Sequence, residues 1–268
     1  MGPEMQESID GIAWSVQDGT GRIVLNAPER ANAIGLASGT AFARAVHEVL
    51  AASPRVVVLD ANGKVFCAGG DIQAFASASD GLDALLGRSI AAMHPSMLRL
   101  ARAPCPVVSV VGGSIGGAGI GLALCADFVL ASSAMKLRAG YSGIGLSPDV
   151  GTSYFLARRV GAQTAKRWLI RNEVVDAQQC LAAGAVDAVL PANELMAHAQ
   201  ALVVELASAS RASVAAVKVL CDRLEPGDLA AHLDAEAREI LACAGSADAW
   251  EGIAAFLERR RPDFSRAS

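Results

Sequence analysis

The chain has few aromatic side chains. Phe, Trp and Tyr are 4% of its 268 residues, whereas hydrophobic types together reach 53%. A large core must therefore be built from Ala, Val, Leu and Ile. It also lacks an excess of basic charge. The formal net charge is −4, and Lys and Arg are scattered until Arg259-Arg260-Arg261. Nothing here points to a nucleic-acid surface, and the arginine run reads as a solvated helix end. The six cysteines, at 67, 105, 125, 180, 221 and 243, include no C-x-x-C pair. Several lie in apolar runs, so buried reduced thiols are expected rather than a disulfide framework or a metal site. No apolar run reaches membrane-spanning length. The first residues are polar (Glu4, Gln6, Glu7, Asp10) and carry no signal-peptide pattern. The expectation is a cytoplasmic protein without membrane or nucleic-acid partners. At this length one domain, or one domain with an appendage, is expected.

What is present alternates strands and helices. Ile12–Val16 and Arg22–Asn26 flank a Gly-containing turn and read as a hairpin. Residues 36–52 place Leu36, Phe42, Val46, Val49 and Leu50 at helical spacing. Short apolar strands follow at Val56–Leu59, Val107–Val111 and Phe128–Ala131. Helices are expected over 82–102 and 117–125. Strand–helix alternation implies a largely parallel α/β arrangement. Beyond about residue 152 the pattern turns helical, with segments 193–208, 211–224, 228–243 and 246–260. One late strand is expected, at Val186–Leu190. These Ala- and Leu-rich helices must cover the core or a neighbouring subunit. No internal repeat or disordered linker is visible.

Two glycine-rich turns stand out, each entered from an apolar strand. One is Val65-Phe66-Cys67-Ala68-Gly69-Gly70-Asp71. The other is Val107–Val111 running into Gly112-Gly113-Ser114-Ile115-Gly116-Gly117-Ala118-Gly119. Small residues let a ligand approach the main chain closely. A helix starting after such a turn presents unpaired N–H groups. Two such turns can aim two N–H groups at one oxygen, an oxyanion hole for a thioester or ester carbonyl. Taken singly, each turn also reads as a tight connection between packed strands.

The order of motifs carries more. Leu25-Asn26-Ala27-Pro28-Glu29-Arg30-Ala31-Asn32-Ala33-Ile34 comes first, then the 66–72 turn. The apolar strand and glycine run over 106–127 follow, and last comes Gly143–Gly161. This series resembles the crotonase superfamily, the enoyl-CoA hydratase and isomerase enzymes, over roughly residues 12–260. The resemblance implies an α/β fold, a spiral of ββα units with a C-terminal helical region. It implies assembly as a homotrimer or homohexamer, a core at 1–200, and an oligomerisation or lid region at 201–268. It also implies an acyl-CoA substrate, with CoA present only as part of the thioester and no separate cofactor. Carried over position by position, the oxyanion donors are the N–H groups of Gly70 and Ala118. Ala68, Gly70, Asp71 and Ile72 match the stretch that cradles the CoA adenine through main-chain groups. Arg30 and Ala31 match the loop at the pantetheine and phosphates. The acyl pocket wall is expected from segments 75–98 and 136–145.

The chain departs from the hydratases in its acid–base residues. Their two glutamates correspond to Gly121 and Tyr141 here. Hydration, which sets water between two carboxylates, is not expected from this pair. The nearest remaining carboxylate is Asp149. In parts of the family a carboxylate at this place serves as the single acid–base. The 4-chlorobenzoyl-CoA dehalogenases have an aspartate here that attacks the aromatic ring, and His94 falls where they carry a histidine. Their two pocket tryptophans are Met93 and Tyr141 in this chain. Asp149 also reads as an N-cap, since Pro-Asp precedes a Gly-Thr-Ser-Tyr helix start. His94 also reads as a packed helix side chain. Asp127 reads as a structural hydrogen bonder, and His47, His198 and His232 carry no assigned role. The expected function is a double-bond isomerase using Asp149, with dehalogenase-like and hydratase-like chemistry as alternatives. Two further alternatives remain. Gly112-Gly113-Ser114-Ile115-Gly116 fits G-x-S-x-G between a strand and a helix, a hydrolase nucleophile with His198 or His232 as base. A non-catalytic acyl-CoA-binding subunit would explain the absent glutamates.

Overall fold

A computed structural model describes residues 7–222 and 229–262. The chain opens as an antiparallel meander of β1 (Glu7–Ile9), β2 (Ile12–Gln17) and β3 (Thr20–Leu25). Helix α1 (Leu36–Ala51) then leads into a repeated unit. In each turn of the chain one strand joins a large sheet, the next joins a small sheet, and a helix follows. The first turn is β4 (Val56–Ala61), β5 (Val65–Cys67), α2 (Ile72–Ala76) and α3 (Leu82–Ala101). The second is β6 (Val107–Val111), β7 (Ser114–Gly116) and α4 (Ala118–Leu124). The third is β8 (Phe128–Ser132), β9 (Lys136–Arg138), a 3-10 turn at Tyr141–Ile144, α5 (Thr152–Val160) and α6 (Ala162–Arg171). The chain continues through β10 (Val175–Asp176), α7 (Ala177–Ala182), β11 (Ala188–Leu190) and α8 (Ala192–Ser208). Helices α9 (Arg211–Asp222), α10 (Leu229–Ala244) and α11 (Ala247–Leu257) complete it. The expected helix residues 223, 224 and 228 lie outside the described residues.

The large sheet has the order β1-β2-β3-β4-β6-β8-β11, parallel from β3 onward. The small sheet has the order β10-β9-β7-β5. Its strands are two or three residues long, too short to show a pattern in the sequence. The large sheet is covered on both faces, which explains its unbroken apolar strands. Val57, Leu59, Val107 and Val111 face the main core with Phe42, Val46 and Leu100. Val56, Val58, Val108 and Val110 face Leu195, Ala199 and Val203 of α8. The boundary expected at 200/201 therefore falls inside a helix that belongs with the sheet. Helix α10 packs along α3, and α11 packs against α2 and the 141–144 turn. Four of the six cysteines (67, 105, 125, 180) are buried, Cys243 is half-buried and Cys221 is exposed. Among the described residues no single helix is long and apolar enough to cross a membrane.

Candidate active site

The two glycine turns lie against each other. Gly69 has φ +104, and a Cβ there would sit 3.1 Å from the Gly117 Cα. Gly117 has φ +46, and a Cβ there would sit 3.9 Å from the Gly70 nitrogen. Both need glycine, for backbone conformation and for this approach. Gly117 precedes the first residue of α4, so the Ala118 N–H has no intrahelical acceptor. Neither the Gly70 nor the Ala118 N–H has a protein acceptor among the described residues. The 27–34 loop fastens the first turn. Ala68 N donates to the Ala31 carbonyl (3.0 Å), Ile34 N to the Gly69 carbonyl (2.8 Å) and Asp71 N to the Ile34 carbonyl (3.0 Å). Buried Asn32 locks that loop. Its amide donates to the carbonyls of Asn62 (2.9 Å) and Val65 (2.8 Å), and its oxygen accepts from Ala27 N (2.8 Å).

The turns open onto a cleft of about 460 Å³. Ala68, Gly70, Gly117, Tyr141 and Asp149 line it together. The remaining wall is mostly apolar, including Ile72, Phe75, Ile144, Leu146, Ile240 and Phe256. The segment 136–145 contributes as expected, but within 75–98 only Phe75 does. The side chains of α3 lie in the core beneath, and α10 and α11 supply that part of the wall. Arg138, Arg260 and Arg261 also line the cleft. Two residues of the arginine run thus border the site instead of a bare helix end. Arg260 is held by Glu251 (2.5 Å) and Glu258 (2.6 Å). Of the other expected CoA contacts, Arg30 is exposed beside Glu29 (3.5 Å), and the Asp71 carboxylate caps α2 at Gln73 and Ala74.

Asp149 borders the cleft and keeps only partial exposure through it. Its Oδ1 accepts a 2.6 Å hydrogen bond from Tyr141 Oη. Burial pushes its carboxyl up to about 7. The Tyr141 bond works against that rise, and the Glu236 charge adds to it. Burial, then the charge of Asp149, holds the Tyr141 hydroxyl well above its ordinary value, so it stays a donor. Tyr141 Oη also meets Thr152 Oγ1 (3.2 Å), which in turn donates to the Gly117 carbonyl (3.3 Å). A hydrogen-bonded chain thus joins the carboxyl to the turn that precedes Ala118.

Asp149 is not the cap of α5. That position is Gly151, with no side-chain cap of its own. The carboxylate of Glu236 from α10 takes the Gly151 N–H (2.6 Å) and the Ser153 N–H (3.1 Å) instead. Sequence reading missed Glu236, because a lone Glu in a distant helix gives no local signal. His94 does not line the cleft. It is buried in α3 and its Nε2 accepts from Val150 N (3.3 Å). Burial holds it below its ordinary pKa, in the neutral form able to accept. Gly121 faces the same loop, and a Cβ there would lie 2.3 Å from the Val150 carbonyl. A side chain cannot occupy that position without moving the Asp149 loop.

A model of the enoyl-CoA hydratase/isomerase family matches residues 15–267. The chain belongs to that family, within the crotonase superfamily. It is 32% identical to a probable enoyl-CoA hydratase of Rhodobacter capsulatus, over 95% of this chain and 97% of that one. It is also 32% identical to the 1,2-epoxyphenylacetyl-CoA isomerase of Escherichia coli, over 95% and 98%. A crystal structure of an enoyl-CoA hydratase from Mycobacterium avium subsp. paratuberculosis superposes with a TM-score of 0.83 at 29% identity, covering 96% of this chain and 99% of that one. The two-sheet spiral is therefore the crotonase fold. Within this family member Ser114 is no nucleophile elbow. It opens β7 and pairs with Val65, while His232 bonds Ser153 (3.0 Å). Asp127 is structural, accepting from Val107 N (2.8 Å) and Lys218 Nζ (2.6 Å). Among the described residues no group of three His, Cys, Asp or Glu side chains is placed to hold a metal ion.

Proposed function

We propose that this protein is an acyl-CoA thioester isomerase that moves a double bond with Asp149 as its single acid–base. One observation carries the proposal. A carboxyl raised to about 7 borders the same cleft as the two glycine turns, and Gly121 has no room for a hydratase glutamate. The thioester oxygen accepts the N–H groups of Gly70 and Ala118. Fixed donors stabilise the negative charge that develops there, each by roughly 3 kcal/mol in comparable sites. This acidifies a carbon conjugated with the thioester. Asp149 removes the proton and returns it elsewhere along the chain. A pKa near neutrality suits a group that must both take and give a proton. Tyr141 orients the carboxyl and stabilises its charged form.

The acyl chain lies against Ile72, Phe75, Leu146 and Ile240. The CoA phosphates meet Arg138, Arg260 and Arg261, with Arg30 and Ala31 nearby. His94 is a positioning residue behind the loop, not a proton donor to substrate. Exposed apolar side chains such as Ile170 and Val174 suit burial in a homotrimer, which light scattering of the purified protein would test. The proposed activity is tested by following enoyl absorbance over a set of acyl-CoA thioesters, beside a hydration assay with crotonyl-CoA. Isomerisation with little or no hydration is expected.

A further inference from the structure

The loop that presents Asp149 has an unfavourable backbone. Val150 has φ +52 and Gly151 has φ +75. Glycine accepts that region readily, but a β-branched residue does not. Such a conformation persists only where its surroundings over-determine it. Here two side chains from different helices seize its two consecutive N–H groups. His94 of α3 takes that of Val150, and Glu236 of α10 takes that of Gly151. Glu236 does more, since it also accepts from Ser153 N (3.1 Å) and Ser153 Oγ (2.5 Å). It is buried, at 5% exposure, and stands 3.5 Å from His232 Nε2. Three hydrogen bonds to a buried carboxylate at a helix start, two of them short, make a strong clamp.

We infer that Glu236 is a positioning residue of the reaction, its carboxylate clamping the left-handed Val150–Gly151 turn so that Asp149 meets Tyr141 in the cleft. The inference rests on Asp149 being the acid–base. It gives α10 a part in the chemistry as well as in the cleft wall, where Ile240 from the same helix stands. The clamp also has an electrostatic consequence. The groups that act on Asp149 are Tyr141 from the 3-10 turn, Cys67 from β5 and Glu236 from α10, while His94 of α3, behind the loop, faces Glu236, Asp234 and His232 of α10. Tyr141 and Cys67 are held protonated and His94 neutral. Glu236 is the negative group that raises Asp149.

The test uses the full chain with Glu236→Gln, Glu236→Ala, Ser153→Ala and Asp149→Asn, and trans-3-hexenoyl-CoA as probe. Glu236→Ala should lower kcat about 10²-fold with KM little changed, the scale expected when a reacting group is displaced by about 1 Å. Glu236→Gln removes the charge and one of the two acceptor oxygens, so kcat should fall in part and the low-pH limb of kcat/KM should move to lower pH. Ser153→Ala keeps both main-chain bonds and should leave that limb in place. A second readout needs no turnover. The pH above which the Tm gap between Asp149→Asn and its parent stops growing reports the Asp149 pKa in the fold. That pH should be lower when the parent carries Glu236→Gln, and it decides the matter if Glu236→Ala fails to fold. Wild-type kcat in folded Glu236→Ala, or an unchanged pH dependence in Glu236→Gln, overturns the inference. Full activity of Asp149→Asn instead overturns the acid–base reading beneath it.

Discussion

The glycine-turn side of the cleft and the Asp149 side are held together by different parts of the chain. On the first side the proposed working groups are main-chain N–H groups, and glycine fixes where they point. The supporting bonds run mostly between main-chain groups close together in the fold, with buried Asn32 among the few side chains that join them. On the second side the proposed working group is the Asp149 carboxyl, placed by Tyr141, Thr152, His94 and Glu236 from four separate segments. The difference explains how one fold supports several chemistries. An oxyanion hole of main-chain donors depends little on side-chain identity, so the acid–base can be moved while the hole stays. In this chain the loop carrying Asp149 lies against Gly121, the position that the family resemblance matches to a hydratase glutamate.

That comparison can be broken at several points. The largest effect is expected at Asp149 itself, on stability. Its folded pKa is raised to about 7 from an ordinary 3.8. The protonated carboxyl therefore favours the fold below the unfolded pKa, and that contribution is lost as pH rises to about 7. Asparagine does not titrate. Asp149→Asn should gain stability over wild type as pH rises from about 4 to about 7, by at most about 4 kcal/mol, and stay level above. Thermal melts across that range check it. A gap that is constant with pH would mean the carboxyl is not desolvated.

Next in size is the main chain on the other side. Gly121→Ala puts a Cβ against the Val150 carbonyl and should cost about 1–3 kcal/mol, read from denaturant midpoints. Gly121→Glu, even with Tyr141→Glu, should not restore hydration. A smaller effect is expected from Tyr141→Phe, which removes the charge-assisted bond to Asp149. A loss of about 2 kcal/mol corresponds to some 30-fold in kcat. Because that bond lowers the Asp149 pKa, the low-pH limb of the rate profile should move to higher pH, opposite to Glu236→Gln. Smallest of all is Ser114→Ala, expected to leave turnover unchanged within about 0.5 kcal/mol of barrier, since Ser114 only begins a short strand. Loss of activity there would revive a serine hydrolase.

How much of this was legible follows the same division. The glycine side could be read because its information is local: strand, turn and helix start sit within 15 residues, and the need for glycine shows directly in the sequence. The buried strands β4, β6 and β8 were legible as short, mostly apolar runs rich in Val, Leu and Ala. The small sheet was not, because β5, β7 and β9 are three residues each and owe their pairing to the spiral. Asp149 could be located, but its two readings could not be separated by residue type. The cap reading failed because Glu236, 87 positions away, occupies those N–H groups. Arg260 and Arg261 were taken for solvent-facing charge because only the packing of α11 over the 141–144 turn brings them to the cleft.

The most direct test of the central claim is turnover of trans-3-hexenoyl-CoA by wild type and Asp149→Asn, followed by enoyl absorbance, with thioester binding measured in parallel. A sole acid–base typically contributes 10²–10⁴-fold, and loss near the upper end with binding retained is the predicted result. Full turnover by Asp149→Asn, or ready hydration of crotonyl-CoA by the wild type, would contradict it.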